Sequence, residues 1–195
     1  AQPAPHIAFF QANPGSIVAG DCTTLEWGAV SHATQAVIDH GIGGVGTPGS
    51  QSVCPGSTTT YVMTATGPGG TTTASASVSV SPAVPDLVIE SIRFIPSPPV
   101  QGQDNIVRIG IRNNGTGAAG PFSWEWQPGS YSTFPNGYVS GGLPAGHVIG
   151  VSGTWHPASW YGNLSTVARV DVGNAVAESN EANNERQVNI QVVQP

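Results

Sequence analysis

The chain has 195 residues, of which 8% are charged. Its net charge is −6, and its five basic residues are all arginine. The absence of lysine excludes a Walker-type phosphate loop, a Schiff base and a Ser-x-x-Lys nucleophile, and five scattered arginines on an acidic chain leave no footprint for nucleic acid.

An ordinary soluble domain is roughly 25% charged, so Ser, Thr, Asn, Gln and Gly must cover this surface. At 38% apolar residues the chain can still build a core, and its length suits one large domain or two of about 100 residues. Seventeen prolines and 26 glycines punctuate it as many short strands joined by turns require. No apolar run approaches the roughly 20 residues that cross a bilayer, so no membrane insertion is expected. No secretory leader is present, and a mature secreted chain is the expectation.

In chain order, Ile7 to Phe10 forms the first apolar segment. Thr23, Leu25 and Trp27 then share one face of a strand, as do Tyr61, Met63 and Ala65, and Ala76, Val78 and Val80. Cys22 and Cys54 could be two buried thiols, but the absence of any cytosolic feature favours a disulfide. Such a bridge closes a loop of about 33 residues and contributes roughly 3.5–4 kcal/mol. Cys22 lies an odd number of residues from Leu25 and Trp27, which places the bridge on the outside or edge of a sheet, unlike the antibody pattern.

The prolines of Ser81-Pro82-Ala83-Val84-Pro85-Asp86 predict a semi-rigid spacer and a boundary at about residue 83. Beyond it, Val107, Ile109 and Ile111 point one way while Arg108 and Arg112 point the other. Asn136-Gly137 between Phe134 and Tyr138 signals a hairpin turn. Ala168, Val170 and Val172 alternate with Arg169 and Asp171; residues 174–185 have room for one helical turn; Val188, Ile190 and Val192 close the series. One dry and one wet face per strand means antiparallel sheets packed in pairs. The fold class is therefore all-β: two immunoglobulin-like antiparallel β-sandwiches in tandem, residues 1–82 with the disulfide and residues 83–195, each with about seven strands.

Chemistry-bearing residues are sparse. His6, His32, His40, His147 and His156 have no carboxylate at a diagnostic spacing, and no Gly-x-Ser-x-Gly, Cys-x-x-Cys or His-Glu-x-x-His occurs. No catalytic residue is assigned and no enzyme is expected. The densest polar cluster is Asp171, Asn174, Glu178, Asn180, Glu181, Asn183, Asn184 and Glu185. Within it, Asp171, Glu178, Glu181 and Asn183 are a candidate calcium set, because calcium takes six to eight oxygens. The competing reading is that these side chains bond the exposed backbone of a tight connection; calcium is the one cofactor considered.

Phe122, Trp124, Trp126, Tyr131, Phe134, Tyr138, Trp155, Trp160 and Tyr161 concentrate the aromatics in the second half. Trp124, Trp126 and Trp155 are expected in the core, which leaves Trp160 and Tyr161, between Pro157 and Gly162, as exposed candidates for stacking on sugars. Asn114-Gly115-Thr116 and Asn163-Leu164-Ser165 are glycosylation sequons, making Asn114 and Asn163 candidate attachment sites.

Two resemblances cover nearly the whole chain. Ile7-Ala8-Phe9-Phe10, Gly20 to Trp27, Thr58-Thr59-Thr60-Tyr61 and Thr64-Ala65-Thr66-Gly67 make the first half resemble an immunoglobulin-like module of bacterial secreted proteins. The second half resembles the CARDB family, the cell-adhesion-related domain of bacteria and archaea. The resemblance rests on Pro85-Asp86-Leu87-Val88-Ile89, Val107 to Gly115, Leu143-Pro144-Ala145-Gly146, and Glu178-Ser179-Asn180-Glu181-Ala182-Asn183-Asn184. Both imply sandwiches used as spacers, stalks or adhesive parts of extracellular proteins, with no common catalytic site.

The expected function is therefore a non-enzymatic structural or adhesive component of a prokaryotic cell surface, whose partners are copies of itself or other surface proteins. In a sharper form, Ile7 to Phe10 and Val188 to Val192 pair with sheet edges of neighbouring copies, giving a homopolymeric filament; alternatively, both are ordinary strands of their own domains. A different class of function is a carbohydrate-binding accessory module of a secreted hydrolase, with polysaccharide as partner. A hydrolase itself requires a pocket joining histidine, carboxylate and serine.

Overall fold

A computed structural model describes residues 1–129 and 134–195, which leaves Tyr131 outside the described residues. The chain divides into two compact units, Ala1–Pro82 and Ala83–Pro195. No described residue is helical; residues 174–184 run as bends, a turn and irregular chain, so the helical turn for which there is room does not form. The structure is all-β, as the alternation predicts.

The first unit contains ten strands: β1 (His6–Ile7), β2 (Phe10–Asn13), β3 (Ser16–Val18), β4 (Thr23–Trp27), β5 (Val30–Ser31), β6 (Gln35–Ile38), β7 (Gly43–Gly44), β8 (Gly49–Val53), β9 (Thr59–Gly67) and β10 (Gly70–Ser81). A three-stranded sheet, β2-β4-β8, and a five-stranded sheet, β3-β10-β9-β6-β7, form its layers, and β1 pairs with β5. The pairing of β3 with β10 is parallel, a departure from the wholly antiparallel expectation. Leu25, Trp27, Ile38, Tyr61, Met63 and Val78 fill the core. The segment Ile7 to Phe10 belongs to this unit: Ile7 pairs with Val30, and Phe10 with Trp27.

The second unit has seven: β11 (Leu87–Ile95), β12 (Asn105–Asn113), β13 (Phe122–Pro128), β14 (Asn136–Val139), β15 (Val148–Trp155), β16 (Gly162–Val170) and β17 (Glu185–Val192). They form the sheets β11-β12-β15 and β14-β13-β16-β17, a three-plus-four immunoglobulin-like sandwich. Trp126, fully buried, meets Phe94 and Trp155 edge-on at 5.5 and 5.2 Å. Trp124 and Trp155 are buried with it, as expected.

Three local readings change. Asn136-Gly137 is not a hairpin turn; both residues lie inside β14, with Gly137 opposite Trp124. A Cβ at Gly137 would lie 2.7 Å from the Trp124 indole nitrogen, so the glycine makes room for a ring. Gly49 does the same for Trp27, its direct partner across β4 and β8. The alternation of β16 ends one residue early: Val172 is exposed, and Asp171 turns inward at positive φ. Finally, residues 83–86 are bound to the second unit rather than free as a spacer. The Val84 carbonyl accepts from the backbone N–H of Thr116 and of Gly117, each at 2.9 Å.

Candidate functional site

Cys22 and Cys54 form a disulfide at the end of the β4–β8 pair, one position past Thr23 and Val53. Thr23 faces the core and both cysteines are exposed, so the bridge lies outside the core, where strand parity puts it.

The most connected polar group of the molecule is a knot at one end of the second unit. Asn113, the last residue of β12, is completely buried. Its Oδ1 accepts from the N–H of Asp86 and of Gly115, each at 3.0 Å, and its Nδ2 donates to the carbonyls of Gly117 (2.8 Å) and Leu143 (2.9 Å). This is the full hydrogen-bonding capacity of an asparagine. A Cβ at Gly115 would lie 2.4 Å from the Pro85 carbonyl carbon, so the two backbones touch where no side chain fits. Across the knot, Glu178 accepts from the N–H of Leu87 and from the Asn184 amide (2.9 Å). Asn183 donates to Asp86 at 2.8 Å, and the Ser179 N–H to the Pro85 carbonyl at 2.9 Å.

The four candidate calcium ligands thus do local work. Asp171 accepts from the N–H of Ala175 (3.0 Å) and Val176 (2.9 Å), one on each oxygen. Glu181 accepts from the Glu178 N–H at 2.8 Å. Among the described residues no three His, Cys, Asp or Glu side chains converge as a metal shell. Among the described residues two buried carboxamide oxygens, Asn183 Oδ1 and Asn184 Oδ1, have no hydrogen-bond partner. Burial pushes the Glu178 carboxyl above the usual range; the charges of Glu181 and Asp171 add to this, while the bonds from Leu87 and Asn184 oppose it. Sequence reading found the Glu178–Asn184 half of the knot but treated Asp86 and Asn113 only as family markers. An Asn-x-Gly directly after a strand, with the side chain free to bond two residues on, was the available signal.

The remaining sites stay apart. Trp160 is half-buried against the core instead of exposed. Tyr161 beside it is 57% exposed. Asn114 and Asn163 are exposed, the first in the turn after β12 and the second on the outer face of β16. His40 meets Asp39 at 2.8 Å and His156 meets Asp104 at 2.9 Å; among the described residues no serine hydroxyl bonds either ring. Asp39 is raised by burial, but the Val62 N–H and His40 outweigh this and hold it below the usual value.

Two stacked β-sheets in each unit place the chain among the immunoglobulin-like β-sandwich proteins. The CARDB family matches residues 84–188, and the chain belongs to this family of cell-surface, adhesion-related domains. The solved structures it resembles include the CARDB domain of a Pyrococcus furiosus protein "in complex with di-metal ions", 23% identical, covering 58% of this chain and 97% of that one with a TM-score of 0.50. A domain of a putative cell surface protein from Methanosarcina acetivorans is 24% identical over 56% of this chain and 93% of its own, with a TM-score of 0.50. The titin domains z1z2, in complex with telethonin, are 14% identical and align over 100% of this chain and 99% of theirs at a TM-score of 0.53. At these identities the likeness is one of fold. No curated protein sequence matches the chain. Among the described residues no helix is long and apolar enough to cross a membrane.

Proposed function

We propose that the chain is an extracellular structural module of a prokaryotic surface that joins copies of itself through the edges of its sheets. The observation that carries this reading is the chemistry of those edges. β8 pairs only with β4, and β15 only with β12. Each leaves a row of backbone N–H and C=O groups open among the described residues, and neither strand contains a charged residue or a proline. Soluble proteins ordinarily blunt such edges with lysine, proline or a bulge. Here both stay neutral and unbroken in register, suited to strand addition by another chain.

The dense polar residues support a structural role because they hold backbone. If that structural role is their whole use, melting in millimolar calcium and in chelator is expected to give the same midpoint. Exposed Asn114 and Asn163 are open to glycan attachment, which intact-mass measurement on native material reads directly. Of the two stacking candidates for a carbohydrate-binding module, Trp160 is half-buried and Tyr161 alone stays well exposed. The test of the main reading is the oligomeric state, by light scattering across concentration and by electron microscopy of native material. Ordered polymers are expected; a monomer at every concentration reached overturns it.

A further inference from the structure

The outer face of the β11-β12-β15 sheet holds an unbalanced charge. Arg93 and Arg108 lie directly opposite each other across β11 and β12, where cross-strand Cβ atoms stand about 5 Å apart. Both are exposed. Neither makes an ion pair or a hydrogen bond among the described residues. The other three arginines are engaged: Arg112 on Glu90 at 2.7 Å, Arg169 on Glu125 at 2.8 Å, and Arg186 on the Glu90 carbonyl. Like charges placed directly opposite destabilise a sheet. A chain with five cations that sets two against each other, unpaired, lacks a carboxylate that its own fold does not supply.

The neighbouring rows describe what brings one. On one side Ile95 faces Ile106, 45% and 37% exposed. On the other, Ser91, Gly110 and Gly150 align as a trough almost without side chains. Arginine beside exposed aliphatics is the composition of a protein interface, and these rows contain no aromatic ring on which a sugar could stack. Residues 1–82 have the complementary chemistry: three carboxylates, Asp21, Glu26 and Asp39, and no arginine. Asp39 is engaged by the Val62 N–H (2.9 Å) and His40. Among the described residues half-buried Glu26 is met only by the Gln11 amide at 3.1 Å, and exposed Asp21 has no side-chain hydrogen bond.

We propose that Arg93 and Arg108 dock a second copy of this chain by receiving its Asp21 and Glu26 carboxylates, a head-to-tail contact that deepens the self-assembly reading above and rests on it. Such a contact is heterologous, and its rotation decides whether it closes into a ring or runs on as a filament. The pair sets register and encounter rate by charge, while the isoleucines supply buried area.

The experiment is sedimentation across concentration and salt for the full chain and for the variants R93E/R108E and D21R/E26R. Either variant alone is expected to raise the concentration at half-assembly at least tenfold, an energy of about 1.4 kcal/mol, and mixing the two to restore assembly. Wild-type assembly is expected to weaken with salt. Polygalacturonate, an acidic polysaccharide without protein, serves as the competing probe, and Arg108→Thr as the folding control. Removing one of two repelling charges is expected to leave the melting point unchanged or higher. If wild type never associates, the underlying reading fails. If it associates and R93E/R108E does so equally well, this face is wrong while self-assembly stands. Loss of polygalacturonate binding in R93E/R108E with association intact assigns the arginines to a glycan and overturns the proposal, as does a lowered melting point for Arg108→Thr, which would mark them as structural.

Discussion

Replacing Asn113 by alanine removes four hydrogen bonds at once, two received from the N–H groups of Asp86 and Gly115 and two given to the carbonyls of Gly117 and Leu143. At about 1 kcal/mol net for each bond, the second unit loses about 4 kcal/mol. For a unit of this size that lowers the melting temperature by roughly 15 °C. Asn113→Asp separates the two halves of the effect. The carboxylate keeps both acceptor positions but turns lone pairs toward two carbonyls, so at neutral pH it is as damaging as alanine. Buried against two carbonyl oxygens, it takes up a proton above the usual carboxyl range, then donates to one carbonyl, and part of the loss returns on acidification. The neighbouring Asn114→Ala, on an exposed side chain, is the control and should change stability by less than about 0.5 kcal/mol. Urea unfolding followed by tryptophan fluorescence suits the measurement, because four of the five tryptophans belong to residues 83–195. A loss below about 1 kcal/mol for Asn113→Ala, or an Asn113→Asp variant equal to wild type at neutral pH, would refute the knot as the fastening of the chain onto its sandwich.

Three further outcomes are expected. Replacing Cys22 and Cys54 by serine reopens a loop of about 33 residues and costs residues 1–82 about 3.7 kcal/mol, seen as a lowered melting transition of that unit in calorimetry. Gly137→Ala and Gly49→Ala drive a methyl into Trp124 and Trp27 respectively and each costs about 1–3 kcal/mol, while Gly120→Ala, with open space around it, costs nothing by the same urea midpoint. Glu178 keeps its proton to higher pH when folded than when unfolded. The native state therefore binds the extra proton, and this contribution falls as pH rises from the ordinary glutamate value through the raised one. Glu178→Gln keeps both hydrogen bonds once the Asn184 amide turns over, so it flattens that slope; an unchanged pH profile would assign the dependence to another group.

The strand pattern was legible because burial imposes a period of two, and Val107, Ile109 and Ile111 obey it without exception. Its failures have local causes. Asn136-Gly137 satisfies the chemistry of a tight turn, yet the same lack of a side chain also makes space for an indole across a strand, and a linear pattern cannot separate the two uses. Asp171 falls at an outward position but turns in at positive φ, because its carboxylate caps two N–H groups of the following turn. The knot was half legible. Glu178, Asn183 and Asn184 cluster in sequence, but their partners Asp86 and Leu87 lie more than 90 residues away. Arg93 and Arg108 were invisible as a pair for the same reason, since the register that joins two strands is set by a bulge at Glu90 that nothing in the alternation announces.

The placement of polar chemistry explains how so little charge serves a surface protein. In the second unit the side chains of Asn113, Asp171 and Glu178 lie where backbone must be held without a strand partner: at the chain's arrival on the sandwich, at the turn after β12 and before β17. Each replaces a missing ladder bond, which in a buried position costs about 1–3 kcal/mol if left unmade. What faces outward on the edge strands β8 and β15 is glycine, serine, threonine, glutamine and valine, groups that lose little hydration when another backbone approaches. Charge on those edges would oppose close approach of a like copy, and a long flexible lysine would lose entropy on being fixed there. A sandwich fastened internally by amides and left neutral at its edges can be rigid alone and still accept a neighbour, and in the assembly proposed above Arg93 and Arg108 would decide which neighbour and in which direction.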